Sequence, residues 1–127
     1  MSEDGTDNLF PVSKMDLLWT NASPTSAFAA QTISLNLADY DAILVRYNGS
    51  GYQNVVANTT RCDLFFIGGG DGMLIIPTFT NIFGTRQLTV STTGIVFTAG
   101  YHIAGSTNSA NNYAAVPMKI YGIKIEI

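Results

Sequence analysis

The sequence predicts an all-β fold, an antiparallel jelly-roll-like β-sandwich of about eight short strands. Three observations carry that expectation. Short apolar or alternating runs recur along the chain, each bounded by Gly, Pro, Asn, Asp or Ser. No stretch shows a helix-length apolar period of 3.6 residues. Apolar residues make up 46% of the 127 and charged residues only 12%. A chain of this size can bury a core, and its surface polarity must come from Ser, Thr, Asn, Gln and Gly.

Residues 1–14 are polar, carry Gly5 and Pro11, and read as an arm or linker. One domain is expected over 15–127. Met15–Thr20 is a strand-length apolar run. Asn21–Ala30 holds Pro24 and reads as a turn with a short Ala/Phe stretch. Gln31–Leu37 alternates, with Ile33, Leu35 and Leu37 on one face and Thr32, Ser34 and Asn36 on the other. Ala42–Tyr47 is more continuously apolar, as a central strand is. A weaker strand is expected at Asn54–Asn58.

Cys62–Ile67 and Met73–Ile76 flank "GGGDG", Gly68–Gly72. Glycines supply the positive φ of tight reversals, so this patch reads as a hairpin turn. A phosphate-binding loop needs a following Gly-Lys-Ser/Thr and a helix, and Met73-Leu74-Ile75-Ile76 supplies neither. A calcium loop needs several closely spaced carboxylates, and Asp71 stands alone. Arg86–Thr92 alternates with Leu88 and Val90 on one face. Thr93-Gly94 turns into Ile95–Thr98. Ala99–Ala115 is a long polar stretch, read as loop. Val116–Ile127 closes the chain, with Ile123, Ile125 and Ile127 opposite Lys124 and Glu126 and a β-bulge expected at Gly122.

The net charge of −3 has a location: Glu3, Asp4 and Asp7 precede residue 9, and six acidic residues balance six basic ones after it. A formally neutral body lacks the basic face of a nucleic-acid binder. The one cysteine, Cys62, excludes an internal disulfide and cysteine-based zinc sites, and is expected as a buried small hydrophobe. No segment reaches the roughly 18 apolar residues of a membrane span. The start, MSEDGTDNLF, has neither the basic nor the apolar region of a secretory signal. If the chain acts outside a cell, assembly in the bacterial cytoplasm into a virus particle released by lysis would take it there.

Reactive groups are few. His102 is the only histidine, no G-x-S-x-G elbow occurs, and Asp39 and Asp41 flank Tyr40 in a turn. Carboxylates so placed cap strands more readily than they frame a glycosidase cleft. No enzyme activity, metal or cofactor is expected. Trp19 reads as core. Candidate ligand contacts are Tyr101, His102, Asn108, Asn111, Asn112 and Tyr113 in the polar stretch, and Tyr47, Tyr52 and Gln53 beside the Asn48–Gly51 loop. Tyr with Ser, Gly and Asn is the composition of adaptable recognition surfaces, and equally of ordinary exposed loops.

Three blocks in order carry a longer pattern: "LLWTNASPTSAFAAQTISLNLADYDAILV" (Leu17–Val45), "RQLTVSTTGIVF" (Arg86–Phe97) and "PMKIYGIKI" (Pro117–Ile125). Together they resemble the C-terminal domain of phage and prophage tail or fibre (receptor-binding) proteins of Gram-positive gut bacteria. The resemblance implies a virion module, a homotrimer that joins other virion proteins through its N-terminal arm and contacts a host-surface glycan or protein. It carries no catalytic motif. Two other readings suit the same residues: a carbohydrate-binding module of a secreted glycosidase, and a purely structural head-fibre or decoration protein.

Overall fold

The computed structural model describes residues 12–48, 60–79 and 82–126. The expected strand at Asn54–Asn58, the candidates Tyr52 and Gln53, and residues 1–11 of the arm lie outside them. Among the described residues there are nine strands: β1 (Val12–Thr20), β2 (Gln31–Ser34), β3 (Ala42–Asn48), β4 (Thr60–Phe66), β5 (Asp71–Phe79), β6 (Ile82–Ser91), β7 (Gly94–Ala104), β8 (Thr107–Ala110) and β9 (Val116–Glu126). They form two antiparallel sheets. One has the order β1-β9-β3-β4. The other runs β2-β7-β6-β5, with β8 paired to β7.

The sandwich is as the alternation requires. Ile43, Val45 and Tyr47 of β3 and Ile120 of β9 point inward from the first sheet and are fully buried. Leu74 and Ile76 of β5, Leu88 and Val90 of β6, and Ile95 and Phe97 of β7 meet them from the second. Each full burial of such a side chain stabilises by roughly 1.5–3 kcal/mol. β3 is internal in its sheet, as its apolar run predicts. β1, β2 and β3 alternate between sheets and β4 pairs with β3, whereas β5 to β8 run as a meander in one sheet. That second half is simpler than the two Greek keys of a full jelly roll.

Four sequence expectations are corrected. The glycine patch is not a hairpin. It carries the chain from β4, at one edge of the first sheet, to β5, at an edge of the second. Gly68 (φ +78°) and Gly70 (φ +94°) make the reversal, and the Gly68 N–H donates to Val90 O at 3.2 Å. Gly72 is required for space: a Cβ there would lie 2.4 Å from the Phe65 ring. Both kinds of turn need positive φ, so sequence cannot separate them.

The polar stretch Ala99–Ala115 is mostly strand. β7 continues to Ala104, Gly105 (φ +60°) turns the chain, and β8 returns along β7. All four β8 residues are exposed, so nothing forces an apolar alternation there. The bulges of the first sheet fall at Leu18 of β1 and Met118 of β9, not at Gly122, which pairs in register with Asp16 and Ile43. Gly122 leaves room for the Tyr40 ring, which would sit 2.7 Å from a Cβ. Cys62 is exposed on β4 rather than buried. Trp19 does pack on the core, edge-to-face with Phe28 at 6.0 Å.

Candidate functional site

The largest fully buried side chain in the described core is Arg86. It shares the period-2 face of Leu88 and Val90, and so enters the interior with them. Its guanidinium is served by backbone carbonyls. Nε donates to Ala115 O at 3.1 Å, Nη1 to Thr98 O at 2.7 Å, and Nη2 to Asn112 O at 3.0 Å and Ala114 O at 3.1 Å. The cation also lies 5.1 Å from the centroid of the Phe28 ring, a cation–π distance. Burial pushes the guanidinium down to about 10, so it stays charged at neutral pH.

Three of those carbonyls come from residues 112, 114 and 115, the turn that joins β8 to β9. Aiming them at one planar fork requires a curled backbone. Ala115 accordingly adopts φ +48°, a left-handed conformation costing about 1 kcal/mol in a non-glycine residue. Gly100 leaves the turn its place: a Cβ there would fall 2.4 Å from Asn111 O and 2.9 Å from Arg86 Nη2. Gly84 does the same for Ala114, whose Cβ would be 3.2 Å away. The turn is further tied by Asn111 N–H to Gly100 O at 2.8 Å, Gly100 N–H to Asn112 Oδ1 at 3.1 Å and Phe28 N–H to Asn112 O at 2.9 Å.

This geometry divides the sequence candidates. Asn111 and Asn112 belong to the seat of Arg86: the Asn111 Oδ1 accepts from Tyr113 N–H at 2.9 Å, and Asn112 works through both its carbonyls. Tyr113 stands on this turn and is 42% exposed. Tyr101, 38% exposed, sits beside Ala110 and Thr85 on the outer face of the second sheet. Asn108, opposite Ile103, shares that face. His102 is on the other side of β7, level with Gly84 and half-buried.

Tyr47 is not a loop contact. Its ring is fully buried, and its hydroxyl donates to the Asp63 carboxylate. The same hydroxyl accepts from Ile75 N–H at 3.3 Å and so ties the two sheets. Burial first, then the bond to Asp63, raises its pKa to about 12.

The acidic turn is structural too. Asp41 Oδ2 accepts from Ile125 N–H at 2.8 Å, Asp39 O accepts from Lys124 Nζ at 3.2 Å, and Tyr40 donates to Asp16 at 2.7 Å. The Asp16 partner raises the Tyr40 phenol, with burial adding to it. A surface depression of about 360 Å³ lies between Ser34–Asn36 and the Thr92–Thr93 turn. It is shallow and contains no charged group. Among the described residues, no three His, Cys, Asp or Glu side chains converge as a metal set, and no helix is long and apolar enough to cross a membrane.

Comparison of the chain with protein-family models, curated proteins and solved structures finds no match. Arg86 is the residue that sequence reading missed. The signal was present: its spacing to Leu88 and Val90 assigns it to the buried face.

Proposed function

We propose that this chain is a non-enzymatic binding module of a phage particle, a tail-fibre or receptor-binding tip in homotrimeric form. It contacts a host-surface glycan or protein through Tyr101, Asn108 and Tyr113. The observation that carries this reading is the use to which Arg86 is put. Its buried guanidinium holds the backbone of a polar turn that has little apolar surface of its own. A Tyr-bearing segment fixed in this way binds without first paying for its ordering. The sequence resemblance gives the same class. The arm as the link to other virion proteins and the virion location belong to this proposal.

Alanine at Tyr101 and at Tyr113 tests it. Adsorption of the purified protein to host cells should fall at least tenfold in the double variant while thermal unfolding stays within a few degrees. Unchanged adsorption removes both residues from the contact. A second reading, a decorating protein without a receptor, draws on the apolar outer face of the first sheet. Binding to purified particles but not to cells favours it.

A further inference from the structure

We infer that the outer face of the four-stranded sheet is the surface through which copies of this chain associate. The inference rests on the assembly part of the proposed function and assigns it a place. Register puts two complete rows of outward side chains across all four strands. Met15, Ile123, the fully buried Ala42 and Phe66 form one; Leu17, Tyr121, Leu44 and Leu64 form the next. Neither row contains a charged residue. The same strands send Ile43, Val45 and Ile120 inward. An antiparallel sheet with one face in water alternates apolar-in and polar-out, whereas strands apolar on both sides are covered on both sides.

The exposure is large where it counts. Phe66 is 58% exposed, Met15 56%, Leu17 52% and Leu64 47%, and Ile125 extends the patch at 38%. Those fractions, with the partly buried neighbours, leave roughly 500–600 Å² of apolar surface, at the upper end for a lone soluble protein. Two such faces together reach the roughly 1,000 Å² a specific interface needs, before any polar rim is counted. The next row of the same face, with Lys119, Arg46 and Cys62, is basic and bounds the apolar patch. A face of this kind resembles a core cut in half, the mark of obligate assembly between identical chains.

The test is solution mass by light scattering, with circular dichroism to confirm folding. The wild-type chain should be oligomeric. Phe66→Glu and Leu17→Glu, exposed and outside the core, should be monomers with an unchanged spectrum. Leu64→Thr, which keeps a strand-compatible side chain, should raise the dissociation constant at least tenfold even if the glutamates fail to fold. Val96→Glu, equally exposed on the other sheet's outer face, should stay oligomeric. A monomeric wild type at micromolar concentration overturns the inference, including where another particle protein then binds the face. Assembly that survives Phe66→Glu and Leu17→Glu but dissolves in Val96→Glu overturns it too, while leaving an oligomeric module standing.

Discussion

Replacing Arg86 with methionine keeps much of the volume and the unbranched shape while deleting every donor. Two effects then oppose each other. The charge no longer has to be held out of water, which helps; burial already lowers the guanidinium to about 10 against an ordinary 12.5. Against that, the carbonyls of Thr98, Asn112, Ala114 and Ala115 lose a charge-assisted donor inside the protein. An abandoned buried acceptor costs about 1–3 kcal/mol. Asn112 O keeps Phe28 N–H, which reduces its share. The left-handed Ala115 also loses what holds it. Loss of the donors wins, and the net destabilisation should be about 3–5 kcal/mol, in the range for breaking a buried charged network. At this chain length 1 kcal/mol moves Tm by roughly 4 °C, so Arg86→Met should melt roughly 10–20 °C lower. Arg86→Lys keeps the charge but cannot span four acceptors from one planar fork, and should recover less than half of the loss. Thermal and guanidinium unfolding followed by circular dichroism measure both. A methionine variant within about 1 kcal/mol of wild type would refute the argument, because the carbonyls would then not depend on the guanidinium.

Tyr47 predicts an alkaline transition. Its folded pKa, about 12, lies above the ordinary 10.0, so its contribution is complete below pH 10 and is lost as pH rises toward 12. Tyr47→Phe should cost about 1–2 kcal/mol at neutral pH, the value of the lost hydrogen bonds, and should flatten the fall in stability over that window. Equal slopes in the two proteins would show that the phenol does not titrate with folding. Gly100→Ala should destabilise by roughly 1–3 kcal/mol, as overpacking does, and should be sub-additive with Arg86→Met because both act on one turn. A double-mutant cycle in denaturant measures the coupling.

Period-2 alternation makes most of the sandwich legible in the sequence. Ile33 and Leu37, Ile43 and Val45, and Leu88 and Val90 lie inside as their spacing requires. What the sequence hides is of two kinds. The polar strand β8 and the polar half of β7 have no apolar signature, because an exposed edge pairs through its backbone and leaves its side chains free to be anything soluble. The glycine patch and Gly122 are hidden for another reason. Their glycines answer to close approach by Phe65 and Tyr40, residues far away or on another strand, which local sequence does not contain. The site is legible only in composition. Tyr101, Asn108 and Tyr113 are at the surface, but Tyr47 reads like one of them because a tyrosine at a strand end looks the same whether its hydroxyl meets water or Asp63.

The position of β9 has a consequence for how this protein comes into being. It is the last described strand in sequence, yet it lies between β1 and β3 in the middle of its sheet. During synthesis β1 has no neighbour to pair with until residues 116–126 leave the ribosome; the β3–β4 pair and the β5–β8 meander can form earlier. Completion of this sheet is thus an insertion between waiting strands rather than an addition at an edge. Pairing across about a hundred residues is slow, and the waiting strands are sticky on both sides. Loss of this strand would take away the centre of one layer, and a nascent chain paused shortly before it would be the species most in need of a chaperone.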